Sequence, residues 1–322
     1  MKKIINNLEK KLSESKNILV ISHISPDGDS IGSILGLGFG LRKKYGNKKI
    51  DIAIKDEVPK RFSFLKTENI GEIKSSDDYD LVFVLDCGDL HRAGISIEKS
   101  KIINIDHHIT NPKYGTINIV KSEASSTSEI VFNILKAMDI SIDEDIAESL
   151  YTGILTDTGS FRYSSTSSNS HRVVAELIDI GINRDKIVNA IYQNNSLAYI
   201  RLLKEAIDNM ELFFDDRIAY LLVDKDIIEK SKSDMKYSDI LVEFLRDIEG
   251  VEISIVLKKL DNGLKGSLRA KSIADVSGIA SKFDGGGHIR ASGFFSTMPI
   301  DELKKELISN AEEELKKYFN KD

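Results

Sequence analysis

Short apolar runs alternate with longer stretches of helical periodicity along the first half of the chain, and that alternation sets the expected fold. Runs rich in β-branched residues stand at 18–22, 50–54, 81–85 and 102–106, with a shorter one at 117–120. Runs of this length and apolarity fit parallel strands buried beneath other elements. Between them the spacing predicts helices over 2–15, 31–45, 127–138, 143–156 and 169–180, the last stopped by Gly181. Asp29 or Ser30 can cap the second of these helices, and Ser126 with Glu129 reads as a capping box for the third. A short helix is expected at 59–65, with Pro59 in its first turn. Gly32, Gly36 and Gly40 share one face of the 31–45 helix, which is expected to let its backbone approach the sheet. In the 143–156 helix, Ile146, Ala147, Leu150, Tyr151, Ile154 and Leu155 share a face and lead to Asp157.

Residues 184–209 read as helical and polar, and serve as a connector. A second domain follows, with strands at 217–223 and 251–259 and a helix at 237–248. The Asp-Asn-Gly turn at 261–263 leads into a returning strand at 264–270, a hairpin signal. A helix at 275–283, a Gly-Gly-Gly-His stretch at 285–288, a strand at 292–296 and an amphipathic helix from 299 complete the chain. The expected fold class is α/β: a doubly wound, mainly parallel sheet over 1–183 and a smaller α/β domain over 210–322.

Composition adjusts this picture in three places. The 322 residues exceed one typical domain, and 41% hydrophobic with 30% charged residues is ordinary for a globular protein. The basic N-terminus lacks the apolar region of a signal peptide, and no run reaches membrane-spanning length. With a single cysteine, Cys87, no disulfide can form within the chain, and a cytoplasmic protein is expected. Cys87 itself reads as a small buried hydrophobe. The net charge of −6 argues against long nucleic acid, whose phosphates demand a basic surface. A polyanionic substrate should therefore be short and gripped locally. Oligomeric state stays open, with a homodimer among the options.

The candidate chemistry gathers at strand ends. The run at 102–106 ends in Asp106, His107 and His108; the run at 18–22 leads into His23, Asp27 and Asp29; the run at 81–85 leads into Asp86. Open α/β sheets bind their ligands beyond the carboxyl ends of such strands. Alone, the Asp-His-His block reads as a turn with hydrogen-bonded histidines and Asp86 as an ordinary acidic strand end, whereas His23, Asp27 and Asp29 together can already face one or two divalent ions. As a set, with Asp157 at a helix end, they form a mixed imidazole and carboxylate array suited to divalent cations.

Through these four ordered blocks the chain resembles the DHH phosphoesterase superfamily. The stretch G-G-G-H-I-R-A-S-G at 285–293 is similar to the type-1 DHH-associated domain, and the overall length fits the NrnA-like group of bacterial nano-RNases and 3′-phosphoadenosine 5′-phosphate phosphatases. No ligand position departs from the pattern. In S-L-R-A-K at 267–271, Ala270 stands where the family pattern carries serine, while Arg269 is retained. The resemblance implies two divalent ions, usually manganese. His23, Asp27 and Asp86 would hold one, and Asp29, Asp86, His107 and Asp157 the other, with Asp86 bridging. Asp106 and His108 would act beside them, orienting ligands or touching phosphate. Arg269, Gly286, Gly287 and His288 would bind substrate, the glycines letting backbone N–H groups approach an anion, with Arg92 a further candidate. Arg162 and Arg290 are weaker candidates, and Phe161 or Tyr163 could stack a base, though core packing is the reading preferred for both. The implied activity is hydrolysis, in a cleft between the domains, of very short RNA, dinucleotides to about five-mers, matching the charge argument. Nucleoside 5′-monophosphates would be the products, and the same site would dephosphorylate 3′-phosphoadenosine 5′-phosphate. The rival readings are a phosphodiesterase for linear dinucleotides such as pApA or pGpG, and a nucleotide sensor with structural metals.

Overall fold

The computed structural model describes residues 2–73 and 75–319. They form two compact units, with the boundary between Asn194 and Asn195. The first is built on a parallel sheet of β1 (Asn17–Ile21), β2 (Lys49–Ile54), β3 (Ile70–Glu72), β4 (Leu81–Leu85), β5 (Ile102–Asp106) and β6 (Ile117–Val120). The strand order is β3-β2-β1-β4-β5-β6, all parallel. The chain runs outward from β1 in one direction and from β4 in the other, so the sheet reverses between two neighbouring strands. The carboxyl ends of β1 and β4 flank that reversal, where an α/β sheet opens a crevice.

The helices of this unit are α1 (Lys2–Glu14), α2 (Gly28–Lys44), α3 (Thr127–Ala137), α4 (Glu144–Asp157), α5 (Ser168–Asp179) and α6 (Arg184–Tyr192). They pack against the sheet face carrying Ile18, Val20, Phe83, Leu85, Ile103 and Ile105. The opposite face, with Leu19, Ile21, Val82, Val84 and Ile102, is closed by Tyr79, Leu90, Ile95, Ile97 and Tyr114. The connections after β4 and β5 form only 3₁₀ turns and loops on that side.

Several local expectations are corrected. The Gly32, Gly36 and Gly40 stripe does not face the sheet. A Cβ at Gly32 would stand 2.3 Å from the Ser149 carbonyl oxygen, at Gly36 2.4 Å from Leu150, and at Gly40 2.5 Å from Leu135, so the stripe lets α2 lie against α4 and α3. Gly38, on the other side, meets Ile52 of the sheet. Helix α2 begins at Gly28, capped by Asp27 rather than Asp29 or Ser30. Ser126 caps α3, but Glu129 does not return to Ser126: its carboxylate is buried and takes Ser125, Asn169 and Ser170 instead. The capping box falls at Ser167 and Ser170, at the start of α5. The helix expected at 59–65 is a single 3₁₀ turn, Lys60–Phe62.

The second unit carries a mixed sheet of β7 (Glu211–Phe213), β8 (Ile218–Val223), β9 (Ile253–Leu260), β10 (Gly263–Ala270), β11 (Gly286–His288) and β12 (Ala291–Ser296), in the order β11-β12-β10-β9-β8-β7. Of these strands only β8 and β9 pair in parallel. Its helices are α7 (Leu197–Asn209), α8 (Lys225–Ser231), α9 (Leu241–Arg246), α10 (Val276–Ser281) and α11 (Ile300–Phe319). One face of the sheet packs on α10 and α11, and the other, at β8 and β9, on α7, α8 and α9. Strand β7 and helix α8 were not expected, and the helix at 237–248 divides into a 3₁₀ turn, Met235–Ile240, and α9. The segment 184–209 forms two helices, α6 in the first unit and α7 in the second. Among the described residues no helix is long and apolar enough to cross a membrane.

Candidate metal centre

The centre is assembled from residues that follow β1, β4 and β5 and from one helix end. His23 is buried just beyond β1. Its Nδ1 lies 2.7 Å from the Ile24 carbonyl oxygen, the distance of a donated hydrogen bond. A neutral ring with its proton on Nδ1 then turns the Nε2 lone pair toward Asp27 and Asp86, whose oxygens stand 3.7 and 3.6 Å away. Those separations exceed a hydrogen bond, and lone pair facing carboxylate is unfavourable unless a cation lies between. Asp27 is held in place by its capping role: Oδ1 accepts the Asp29 and Ser30 amides, which leaves Oδ2 to face His23.

Asp86 sits centrally. It has φ of +52°, a left-handed conformation that costs about 1–3 kcal/mol for a non-glycine residue and persists where surroundings enforce it. Its amide bonds the Ile105 carbonyl, and Oδ1 accepts the Thr127 hydroxyl at 3.1 Å. Oδ2 faces His23, while Oδ1 lies 3.6 Å from His107 Nε2. Burial would raise the Asp86 pKa, but His23, His107 and His108 outweigh it and hold the carboxyl well below its usual range. At the three histidines burial opposes the imidazolium, yet the surrounding carboxylates prevail and raise each pKa.

Asp29 is buried at the start of α2 and spans to α3. Its Oδ2 accepts the Thr127 amide at 2.6 Å and its Oδ1 the Ser128 amide at 2.9 Å, so one carboxylate satisfies two free N–H groups of a helix start. Burial, with Asp86 close by, nevertheless pushes its pKa up to about 7. Asp157 ends α4 with Oδ2 3.4 Å from His107 Nε2. Its half-buried position beside Asp29 and Asp86 holds its pKa well above the usual value. Gly159, Ser160 and Phe161 follow with φ of +55°, +61° and +65°, three consecutive left-handed residues. The turn is pinned where the Thr158 hydroxyl accepts the Phe161 amide and the Thr158 carbonyl accepts Arg162 and Tyr163.

Three groups of donor atoms result, each with its atoms within 4.8 Å of one another: His23, Asp27 and Asp86; Asp29, His107 and Asp157; and Asp86, His107 and His108. Each group could hold a metal ion, and the mixture of imidazole nitrogen and carboxylate oxygen fits a divalent cation. Asp106 belongs to none, because both its oxygens are engaged. Oδ1 accepts the His107 and His108 amides and faces His108 Nδ1 at 2.7 Å; Oδ2 accepts Asn111 Nδ2 at 2.6 Å. Asn111 is cross-linked in turn to Asn104 and to the Cys87 carbonyl. Burial pushes the Cys87 thiol up to about 12, consistent with a small packing residue.

Arg92 lies in this unit, its guanidinium 3.2 Å from His23 Nδ1. The other expected substrate residues stand on the second unit. Arg269 and His288 occupy one cross-strand row, separated by Ala291. Gly286 and Gly287 do not form a loop nest; with His288 they make β11, the edge strand, whose outer side has no strand partner among the described residues. Arg290 donates to the Ala274 carbonyl, Arg162 to the Gly159 carbonyl, and the Tyr163 ring lies against Gly159. Phe161 packs on the core and on His171. Sequence reasoning missed Thr127 and Asn111. Thr127 follows two serines at a helix start, and Asn111 precedes a proline after the Asp-His-His run, patterns that mark hydrogen-bonding turns without naming their partner.

Comparison with known proteins places the chain among relatives along nearly its whole length. The model for the DHH family, N-terminal domain, matches residues 17–154, and that for the DHHA1 domain matches 215–317. The chain is 31% identical over 302 residues to the bifunctional oligoribonuclease and PAP phosphatase NrnA of Thermus thermophilus, covering 92% of this chain and 90% of the relative. It is 28% identical to the protein of the same name from Bacillus subtilis, with 89% and 91% covered. The crystal structure of an exopolyphosphatase-related protein from Bacteroides fragilis superposes with a TM-score of 0.89 at 28% identity, over 98% of this chain and 97% of the other.

Proposed function

The chain belongs to the DHH family and is a metal-dependent phosphohydrolase, and from that premise we propose that it hydrolyses very short RNA to nucleoside 5′-monophosphates and 3′-phosphoadenosine 5′-phosphate to AMP. The observation that supports this is Asp86, one carboxylate presenting Oδ2 to His23 and Oδ1 to His107, and we read it as the ligand shared by two cations. His23, Asp27 and Asp86 form one site and Asp29, Asp86, His107 and Asp157 the other. Two divalent ions, manganese by the family's habit, would supply Lewis acidity, an activated water and charge balance for four carboxylates.

The chain's own residues do the rest. Thr127 and the β4 end fix Asp86, and Asp106 fixes the ring of His108 through Nδ1, leaving Nε2 to meet the leaving oxygen. Arg92 provides positive charge in the same unit. In the second unit Arg269 offers a planar, two-pronged phosphate contact and His288 a second donor. By function the chain divides into a catalytic part over 1–183, a connector over 184–209 and a substrate-binding part over 210–322.

The test is a length series, from labelled dinucleotides to about twenty-five nucleotides, with 3′-phosphoadenosine 5′-phosphate and pGpG alongside. Rapid turnover of the shortest RNAs, of 3′-phosphoadenosine 5′-phosphate, and none of the longest, is expected. Turnover of pGpG alone would replace this reading with signalling-dinucleotide hydrolysis, and undiminished turnover after exhaustive chelation would remove the metal mechanism.

A further inference from the structure

Burial alternates along two strands of the second sheet. Leu264, Leu268 and Ala270 of β10, with Phe294 of β12, face α10 and α11. Lys265, Ser267, Arg269, Gly293 and Phe295 point the other way and are exposed or half-buried. On that side the helices α7, α8 and α9 pack over β8 and β9, and α9 also reaches β10, where its Glu243 stands beside Arg269, so the open face is that of β12 and β11 with the Lys265 end of β10.

Register arranges the open face in three rows: Lys265 beside Phe295; Ser267, Gly293 and Gly286; then Arg269, Ala291 and His288. The middle row carries nothing larger than serine. At the far end the Phe295 ring lies over Gly263, where an added Cβ would approach it to 2.7 Å, and 46% of the residue is exposed. No residue of these rows is acidic, in a chain of net charge −6. Two carboxylates pair with bases at the strip, Glu243, 3.8 Å from Arg269, and Asp239, on Lys258 in the same row as Lys265, while Asp261 in the turn before β10 pairs with Lys225 and Asp284 precedes β11. The strip is locally basic and ends in an aromatic ring, which complements single-stranded nucleic acid in charge and in stacking. Arg269 and Lys265 are four residues apart on one strand, about 13–14 Å. That is the length of about four stacked nucleotides.

We propose that Lys265 and Phe295 form a distal nucleotide subsite, Phe295 stacking a base and Lys265 pairing with a phosphate, so that oligonucleotides of about four or five residues are held along the open face and dinucleotides are not. This rests on the reading above in which Arg269 and His288 bind the substrate's phosphate.

The test compares a dinucleotide with a pentanucleotide in Phe295→Leu, Phe295→Trp and Lys265→Ala proteins, by kcat/KM and by binding of a fluorescent pentanucleotide. Leucine keeps apolar cover over Gly263, and tryptophan keeps the stacking surface. Phe295→Leu and Lys265→Ala should each weaken the pentanucleotide about tenfold and leave the dinucleotide unchanged, with Phe295→Trp close to the parent. Equal losses on both substrates, or an unchanged pentanucleotide, overturn the subsite. If the parent turns over neither substrate, the function proposed above fails. If the parent is active and Arg269→Ala impairs both substrates while the Phe295 variants stay flat, the subsite alone fails.

Discussion

Asp106→Asn exchanges one oxygen for an amide nitrogen and reverses the polarity of a single buried hydrogen bond. In the parent, Oδ1 accepts two backbone amides and faces His108 Nδ1, and Oδ2 accepts Asn111 Nδ2. An asparagine can keep its oxygen in the Oδ1 place, but its NH₂ then meets the NH₂ of Asn111. Turning the introduced carboxamide over sets that NH₂ against two backbone amides. Turning Asn111 breaks its bonds with Asn104, Lys113 and the Cys87 carbonyl. Every arrangement leaves a buried donor unsatisfied, which costs about 1–3 kcal/mol, and the surviving bonds lose charge assistance worth about 1 kcal/mol. Relief from burying a charge offsets part of this, leaving a loss of about 2–3 kcal/mol. For a unit of this size that lowers the midpoint by about 4–12 °C. The assay is urea and thermal unfolding in chelator, so that bound cations do not mask the effect. Adding Asn111→Asp places an acceptor opposite the new NH₂, and a coupling of at least about 1 kcal/mol is expected from the double-mutant cycle. A single variant within about 0.5 kcal/mol of the parent, with no coupling, would refute the wiring described for this network.

Three further outcomes are expected. Gly32→Ala forces a methyl group against the Ser149 carbonyl and should destabilise the first unit by more than about 3 kcal/mol, whereas Gly40→Ala meets only the end of Leu135 and should cost far less; denaturant midpoints for both decide it. Asp86→Ala should lose bound divalent metal together with activity, while Arg92→Ala keeps its metal; an unchanged metal-to-protein ratio in the first would remove Asp86 from the ligand set. Burial works to raise the pKa of Glu252, but the amides of Ser272, Ile273 and Ala274 outweigh it and hold the carboxyl below its ordinary 4.5. A depressed folded pKa stabilises above the unfolded value and the benefit vanishes as pH falls through the folded one, so the second unit should weaken below about pH 4.5 and Glu252→Gln should flatten that decline. Equal acid slopes for the two proteins would sink this account.

The sheet of the first unit could be read from the chain because its strands are apolar on both sides and end abruptly in acids and imidazoles. Periodicity placed Gly32, Gly36 and Gly40 on one helix face but said nothing of what that face meets, and the partner turned out to be α4 and α3. The glycines at 286 and 287 carry no side-chain signal at all, so their pairing with β12 was not legible in the sequence. Glu129 looked like a capping partner because its spacing from Ser126 is right. The nearby hydroxyls of Ser125 and Ser170, one of them far off in sequence, claim it instead. Local pattern reports what a residue can do, and distant partners decide which of those options is taken.

The order of the strands in the sheet also bears on how the protein is made. His23, Asp27 and Asp29 leave the ribosome early, yet the amides that hold Asp29 belong to Thr127 and Ser128, 98 and 99 residues later, and Asp157 comes later still. A nascent chain lacking α3 and α4 therefore carries acids without the partners that position them. Neighbouring strands here pair in parallel across long connections, a topology that forms slowly because loop closure precedes the reward of contact. Cation affinity should consequently appear late in synthesis and abruptly, once Asp157 at the end of α4 has packed into place, which makes metal uptake by stalled chains of graded length a direct clock for folding of the first unit.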